Sequence, residues 1–484
     1  MAATARAQTT GEWQQFQANG AHTGIAPDGA APPLRQAWRF DPELTGRFGV
    51  SPPVLGDGVA VTVGPEAVYG VDLDTGETAW EIARAYGPSA TPAIAAGEAR
   101  EVLLYTEGYG KDPPEQAYPS ASPTSSGSVA ASPSPSSTGS KGDGEETGGD
   151  SSQTHVVAVD LQTKEPVWDA PVSLEAVSRT GVAVDGETAY VGDDGGTVTA
   201  IDVATGDVRW TFDAEGPILT AIAAAEGTVI VSTQPREAGS TALVALDAAD
   251  GTEAWRVGEE AGPFTTSTPA ISDGTVYLGF TDATGNRLRA LALEGGGERW
   301  SLTLASQLLY LTAPVVAPDA LYAIDLSGQV HAVSPATGEE LWDYAINALV
   351  PRAGALSATA LLVPTARGSL LSIDTQSHDL VARTAADGPQ GYLGAMAVGS
   401  TVVVVVKGGH HPGLVAFESD PGTPLLSVPS PTVLDPGTMV ANFAIAAVPM
   451  LVLLALAGRW LRNRMGPAFA DDDGTLADDV EVDT

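Results

Sequence analysis

The chain has 484 residues and a formal net charge of −37 at pH 7, because it contains 60 acidic and only 23 basic residues. A surface this negative repels phosphate backbones, so we expect no nucleic-acid partner. Cysteine is absent, which excludes disulfides, thiolate zinc sites, iron–sulfur clusters and cysteine nucleophiles.

The N-terminal residues 1–11 contain Ala5-Arg6-Ala7, an A-x-A pattern that a signal peptidase accepts, but no apolar segment precedes it. Two interpretations stay open: a chance match in an alanine-rich start, or the remnant of a signal peptide that begins upstream of Met1.

Trp13 follows, outside any repeat, and we expect it to contribute less stability than tryptophans within the repeat. Trp38, in QAWRF, reads as a lone strand without the blade that should precede it.

The stretch Val198–Trp210, VTAIDVATGDVRW, is the unit from which most of the chain is built. It reads as a strand, a turn at Thr205-Gly206-Asp207 and a second strand that reaches Trp210. Near-copies end at Trp80, Trp168, Trp255, Trp300 and Trp342, and degenerate copies cover 370–382 and 414–420. From Trp168 onward the tryptophans are 42 to 45 residues apart, a period typical of propeller repeats.

Each full unit contains four short strands joined by turns such as Asp185-Gly186 and Gly195-Gly196, which are strong hairpin signals. Eight such units predict an all-β fold, an eight-bladed β-propeller of four-stranded antiparallel blades over residues 12–427. The eighth unit lacks a tryptophan strand. We expect the strand around Trp38 to complete it, which would close the ring without an open sheet edge.

One blade carries a long insertion. The step from Trp80 to Trp168 is 88 residues, and the excess lies in 110–154, which is rich in Ser, Pro, Gly and acidic residues. This composition cannot form a packed core, so we predict a disordered insertion within one blade.

The C-terminal region predicts a membrane anchor. After a Pro-rich linker, 428–437, the segment Thr438–Gly458 has 21 residues without a charge, enough for one transmembrane helix. Arg459, Arg462 and Arg464 follow at once, so the acidic tail 459–484 is predicted to be cytoplasmic and the propeller extracytoplasmic, in a single-pass protein.

The pattern A-x-D-x-x-T-G-E-x-x-W, seen at Val71–Trp80 and Ala200–Trp210, resembles the pyrroloquinoline-quinone (PQQ)-type propeller repeat. The resemblance covers roughly residues 12–420. It implies eight blades in which the tryptophan of one blade docks on a turn of its neighbour. It therefore implies a structural role for the repeat tryptophans, namely Trp38, Trp80, Trp168, Trp210, Trp255, Trp300 and Trp342.

Two observations limit the resemblance. The seventh copy has Ala382 in place of tryptophan and Ser377-His378 in place of Thr-Gly, so we expect a looser interface there. The WD40 repeat has the same period, but Asp follows only Trp168 and Trp342 among the repeat tryptophans that begin with Trp80, which favours the PQQ-type repeat.

No stretch predicts a catalytic, cofactor-binding or metal site. Asp193-Asp194-Gly195-Gly196, Ser377-His378-Asp379, His410-His411 and Gly110-Lys111 each fit a turn better than a calcium loop, a triad, a metal site or a P-loop. Many dehydrogenases of the resembled family carry a vicinal Cys-Cys disulfide and long blade insertions that roof the cofactor. This chain has neither, so we expect no enzyme activity and no cofactor.

The sequence therefore favours a membrane-anchored, extracytoplasmic propeller that acts as a binding scaffold or sensor in the cell envelope. Its partner would be an envelope protein or a cell-wall component. Two alternatives stay open: a quinoprotein-like, PQQ-dependent dehydrogenase and a purely structural ectodomain.

Overall fold

The computed structural model describes residues 13–43, 49–96, 100–108, 154–234, 241–258, 264–308, 312–386, 392–407, 412–426 and 428. These residues form eight sheets that are the blades of one propeller, which confirms the predicted all-β, eight-bladed fold. In this part of the chain no helix is long and apolar enough to cross a membrane. The predicted transmembrane helix Thr438–Gly458, the linker 429–437 and the tail 459–484 lie outside the described residues.

Two strands precede the first complete blade, β1 (Ile25–Ala26) and β2 (Leu34–Phe40). Blades 1 to 4 then follow in chain order, each with its innermost strand first. Their strands are β3 (Val54–Gly56), β4 (Val59–Val63), β5 (Ala67–Asp72) and β6 (Thr78–Ala83); β7 (Ala93–Ala96), β8 (Glu101–Glu107), β9 (Thr154–Asp160) and β10 (Val172–Leu174); β11 (Val182–Asp185), β12 (Thr188–Gly192), β13 (Thr197–Asp202) and β14 (Val208–Asp213); and β15 (Ala223–Ala225), β16 (Thr228–Ser232), β17 (Leu243–Asp247) and β18 (Glu253–Val257).

Blades 5 to 8 continue the same pattern, and blade 5 has one additional short strand, β19, beside β21. Their strands are β19 (Phe264–Thr266), β20 (Ala270–Ser272), β21 (Thr275–Asp282), β22 (Gly285–Ala292) and β23 (Glu298–Leu304); β24 (Val315–Val316), β25 (Leu321–Ile324), β26 (Gln329–Val333) and β27 (Glu340–Ala345); β28 (Ala355–Ser357), β29 (Ala360–Pro364), β30 (Ser369–Asp374) and β31 (Leu380–Ala385); and β32 (Tyr392–Val398), β33 (Thr401–Lys407) and β34 (Gly413–Ser419).

Blade 8 takes its outermost strand from the beginning of the chain. β2 pairs antiparallel with β34, so that Trp38 lies opposite Ala416 and Phe40 opposite Leu414. The strand around Trp38 thus completes the eighth blade, as the sequence predicts. Because strands from both ends of the propeller region share one sheet, the ring closes through backbone hydrogen bonds.

Blade 2 contains the ends of the predicted insertion. Glu107 of β8 lies opposite His155 of β9, so the intervening segment leaves and re-enters between two paired strands of one blade. The predicted range 110–154 is one residue too long, because Thr154 is already a buried residue of β9. Residues 109–153 lie outside the described part of the chain.

Indole rings on the outermost strands, or just before the outermost strand in the case of Trp168, contact the neighbouring blades. Trp210 of β14 donates its Nε1–H to the carbonyl oxygen of Ala248 in blade 4, at 3.1 Å, and its ring covers Gly251 of the same turn. Gly251 has φ +74°, and a Cβ there would lie 2.6 Å from the indole, so both the backbone and the contact require glycine. Trp38, Trp168, Trp255 and Trp300 donate in the same way to Leu73, Val203, Leu293 and Pro335, at 2.7–2.9 Å.

Two turns of this kind have a larger residue in place of glycine. Lys164 and His378 both adopt positive φ, 65° and 62°, so the turn keeps its backbone shape. The Lys164 ammonium lies 4.8 Å from the centroid of the Trp80 ring, and the His378 ring stacks on Trp342 at 4.8 Å with an interplanar angle of 19°. At these two turns the indole therefore packs on the Lys or His side chain that replaces glycine.

The outer edge of blade 7, where Ala382 replaces tryptophan, pairs with the chain that follows the ring. Leu426 donates its N–H to the carbonyl oxygen of Val381 at 2.7 Å. Leu380 and Val428 exchange both backbone hydrogen bonds, at 2.9 and 3.1 Å. This segment supplies backbone partners on the strand that lacks the indole.

The N-terminal strap, residues 13–31, passes the innermost strands of the eight blades in order. It bonds to each blade at or next to that strand, through the main chain except at Gln15. The donor–acceptor pairs, at 2.7–2.9 Å from blade 1 to blade 8, are Leu55 N to Trp13 O, Ile94 N to Gln14 O, Val184 N to Gln15 Oε1, Ala224 N to Gly20 O, Ile271 N to Ala21 O, Val316 N to Thr23 O, Leu356 N to Gly24 O and Ala30 N to Gly399 O. The strap therefore satisfies backbone groups that would otherwise face the channel.

We predict that Trp13→Ala lowers the free energy of unfolding by about 3–5 kcal/mol, as expected for a large buried aromatic ring. Trp13 is 1% exposed and Trp210 is 9% exposed, so Trp13→Ala should cost at least as much as Trp210→Ala. This reverses the order expected from the sequence, in which Trp13 stands outside the repeat. Denaturant unfolding of both variants measures the difference.

Val208→Ala is the control for these variants, because Val208 is 49% exposed on the same strand as Trp210 and should change stability by only about 0.5 kcal/mol. If Trp210→Ala were no more costly than Val208→Ala, the indole would not stabilise the blade interface. If Trp13→Ala were the mildest of the three, the strap would not be part of the stable core.

His22 makes the strap sensitive to acid. It is buried, and its Nδ1–H donates to the carbonyl oxygen of Pro269 at 2.9 Å while its ring meets the Phe16 ring edge-on. Burial lowers the pKa of His22 to about 4, although the bond to Pro269 opposes the shift. Since the folded pKa lies below the unfolded value of about 6.5, the neutral form stabilises the fold above pH 6.5, and this contribution falls as the pH drops toward 4.

We therefore predict that the free energy of unfolding decreases by roughly 3 kcal/mol between pH 6.5 and 4 because of His22. His22→Asn keeps an N–H donor near the Nδ1 position and tolerates the positive φ of 58°. It should be less stable at pH 7.5 but should lose less stability on acidification. Equal slopes for both proteins over this range would contradict the assignment.

Candidate functional site

The propeller has two different faces. Because neighbouring strands of a blade are antiparallel, the connections alternate between the faces. One face, here the closed face, carries two-residue hairpins such as Asp57-Gly58 and the turns that the indoles cover. The other, the open face, carries the connections between blades, for example Arg84 to Pro92, and the β8–β9 connection with the insertion.

Arg84 fixes the open face where the insertion begins. It is buried and donates to the carbonyl oxygens of Gly64 at 2.9 Å, of Gly87 at 2.7 Å and of Thr106. Burial lowers the pKa of Arg84 to about 10 and the nearby Glu107 partly opposes this, so the guanidinium stays charged at neutral pH. These bonds join the connection between blades 1 and 2 to the end of β8.

A cavity of about 110 Å3 opens on this face at the axis of the ring. Phe16 of the N-terminal strap lines its floor, and its wall comes from residues that precede the innermost strands of several blades. The strap and the blade entries therefore share one cavity on the open face, here called the mouth of the channel.

Cations line this mouth. Arg179, Arg352 and Lys407 all contribute to its wall, and no acidic residue is among the described residues that line it. Arg179 forms a 2.8 Å ion pair with Asp194, which lies behind the wall. Lys407 makes no hydrogen bond or ion pair with any other described residue. Burial of its ammonium, and then the positive charge of Arg352, lower the pKa of Lys407 to about 8.

Hydroxyl groups complete the polar surface of the cavity. Ser89, Thr91, Thr180 and Thr268 line it together with the cations. The Oγ of Ser89 and the Oγ1 of Thr180 are buried and have no hydrogen-bond partner within the described structure. A buried hydroxyl without a partner is costly, and both can donate to a ligand in the cavity.

The stretches considered as sites from the sequence are structural where they are described. Asp193 accepts the N–H groups of Gly195 and Thr197 at 2.9 and 3.0 Å, so the predicted turn holds its carboxylate and no calcium loop forms. Ser377-His378-Asp379 is the turn under Trp342. His410-His411 and Gly110-Lys111 lie outside the described residues. Within the described ranges no three His, Cys, Asp or Glu side chains are grouped to hold a metal ion.

The cavity does not fit the quinone cofactor implied by PQQ-type dehydrogenases. Its volume of about 110 Å3 is below the roughly 300–1,000 Å3 of typical small-molecule sites, whereas the cofactor is a fused three-ring tricarboxylic acid. The described wall also offers no carboxylate for an accompanying cation. The site therefore suits a smaller, negatively charged group.

Sequence reasoning did not identify these cations. Arg179 and Arg352 each stand three residues before the first strand of their blade, in Arg-Thr-Gly and Arg-Ala-Gly, whereas Lys407 ends β33. A second signal is the rarity of lysine: the chain has four, Lys111, Lys141, Lys164 and Lys407, and the last follows a run of five valines.

Comparison with known proteins gives one family and several relatives. A family model described as Outer membrane protein assembly factor BamB matches residues 152–328 and 326–449. BamB of Yersinia pestis is 25% identical over 208 residues, which cover 39% of this chain and 51% of the relative. BamB of Nitrosomonas eutropha is 26% identical over 199 residues, which cover 39% and 46%. The chain thus spans about half the length of these curated relatives.

Solved structures support the fold. The crystal structure of BamB from Moraxella catarrhalis has a TM-score of 0.51 and 16% identity, with 79% of this chain and 99% of that chain covered. A europium-containing methanol dehydrogenase has a TM-score of 0.59 and 11% identity, with 84% and 91% covered. At such identities the likeness concerns the fold alone.

Proposed function

The chain belongs to the PQQ-type repeat family whose model is described as Outer membrane protein assembly factor BamB, and we propose that it is a binding scaffold of the cell envelope. The observation that carries this proposal is the difference between the two faces. The open face presents long connections and a polar cavity, whereas the closed face consists of tight turns under the indoles.

The open face is the proposed binding surface. Its connections vary in length from blade to blade without disturbing the strands, as expected for loops that carry function on a rigid scaffold. Leu349, between blades 6 and 7, is a large apolar residue that is 50% exposed there. The relatives are named for outer-membrane protein assembly, so the proposed partner is another protein of the envelope.

The membrane anchor belongs to the same proposal. Thr438–Gly458 is proposed as a single transmembrane helix, with Arg459, Arg462 and Arg464 on its cytoplasmic side. In this proposal the propeller is outside the cytoplasm, in the same compartment as an envelope partner.

Photo-crosslinking tests the binding face. A benzophenone amino acid is placed at Glu66 and Leu349 on the open face, and at Asp74 and Ala249 on the closed face, all exposed positions. In intact cells of the native host, we expect light-dependent adducts with one envelope protein from Glu66 and Leu349 and none from the two closed-face controls. Glu66 and Asp74 form a matched acidic pair within blade 1.

Adducts from the closed face alone, or equal adducts from both faces, would contradict the proposed surface.

An activity assay tests the alternative of a PQQ-dependent dehydrogenase. Purified protein supplied with PQQ and Ca2+ should not oxidise alcohols, and turnover under these conditions would replace the scaffold proposal.

The absence of cysteine allows a direct test of topology. Ser125→Cys places a thiol in the insertion and Thr475→Cys places one in the tail. A membrane-impermeant maleimide should label Ser125→Cys in intact cells or spheroplasts, and Thr475→Cys only after lysis. Labelling of the tail from outside with protection of the insertion would reverse the proposed orientation.

A further inference from the structure

The mouth of the channel has the opposite charge to the rest of the protein. The chain has 60 acidic and 23 basic residues, yet Arg179, Arg352 and Lys407 meet at one cavity whose described wall contains no carboxylate. The described lining therefore carries three basic side chains and no acidic one.

We propose that this mouth binds a small oxyanion, a carboxylate or a phosphate, held by Lys407, Arg352 and the hydroxyls of Ser89 and Thr180. A free ion can occupy the site without a partner protein. Its binding can therefore be tested independently of the scaffold function proposed above.

The burial of Lys407 beside a second cation favours an anion in the cavity. Removing a charged ammonium from water is costly unless a partner compensates it. Its described surroundings offer the second cation Arg352, which repels it, and no counter-ion. An anion in the cavity would interact favourably with both cations, so its binding would relieve this repulsion. The third cation, Arg179, already forms an ion pair with Asp194.

The donor set specifies an oxygen-rich anion. A guanidinium presents paired N–H donors to a carboxylate or phosphate, and an ammonium adds up to three donors. The buried hydroxyls of Ser89 and Thr180, which have no partner among the described residues, supply two more. Thr180 is only 8% exposed. Its hydroxyl is therefore placed to hydrogen-bond a ligand in the cavity.

The cavity also limits the size of the ligand. A volume of about 110 Å3 above Phe16 suits a single acidic group and excludes a large ring system. The acidic group can belong to a free ion or to a side chain of a docked protein, because both present the same oxygens.

Binding should depend on pH through Lys407. Charged groups that face it from the described elements are Arg352 and, across the cavity, Arg179 with Asp194; the two arginines stay protonated. Since the pKa of Lys407 lies at about 8, the ammonium is charged below this pH and neutral above it. Anion affinity should therefore fall as the pH rises through 8.

The small number of lysines makes a direct measurement feasible. In the full chain labelled with 13C at the lysine Cε, four lysines give few signals, and Lys164 on the closed face is the internal reference. We expect inorganic phosphate and acetate to shift the Lys407 signal saturably and to leave Lys164 unchanged. The titration midpoint of Lys407 should lie near 8 and should rise when the anion is bound.

Variants separate the site from general charge effects. Lys407→Gln should weaken phosphate binding about tenfold or more, as for a lost charge-assisted bond, whereas Lys164→Gln removes the same charge on the other face and should leave it unchanged. Lys407→Arg should retain binding and abolish its pH dependence near 8. The melting temperature of each variant, together with the Lys164 signal in the two Lys407 variants, shows that the variant is folded.

Three outcomes would overturn the proposal: no response of Lys407 to either anion, an equal response of all lysines, or the same weakening by Lys164→Gln.

Binding of a capped peptide with one central glutamate shows whether the bound oxyanion is a free ion or a protein side chain. Tighter binding of phosphate or acetate than of the peptide indicates a free ion, and the reverse indicates an acidic side chain of a docked protein. Either result requires the oxyanion site.

Discussion

The pairing of β2 with β34 is the constraint on which the rest of the structure depends. It joins residues 34–40 to the last blade, so the residues before β2 must lie at the ring and cannot extend away from it. They run through the channel as the strap and hydrogen-bond every blade. The strap in turn places Phe16 in the lining of the cavity on the open face.

The contact between an indole and the neighbouring turn explains how the repeat varies without loss of the fold. Two properties of each turn are needed: a positive φ and a surface on which the ring can pack. Glycine provides both at Gly251, while Lys164 and His378 keep the backbone conformation and offer their side chains to the ring. The interface at His378, expected to be looser, thus has an aromatic stack in place of the glycine contact.

Charge and architecture together distinguish the open face. Long-range repulsion between acidic groups opposes self-association, and an enclosed cationic cavity within such a surface attracts anions by focusing the field. A scaffold with one rigid closed face and one variable open face can present this cavity to a partner or to a free ion. The membrane anchor proposed for Thr438–Gly458 would keep that face within the envelope.

The sequence by itself determined the repeat and hence the fold. Residues such as Ala200, Gly206 and Trp210 have local roles that recur with a fixed period, and the incomplete eighth unit required a strand such as that of Trp38. The path of the strap, the burial of Trp13 and the meeting of Arg179, Arg352 and Lys407 were decided by the tertiary structure alone. Trp13 and Lys407 share no position of the repeat with the two arginines, and only closure of the ring brings residues so distant in sequence to one axis, where burial and hydrogen bonding act on them together.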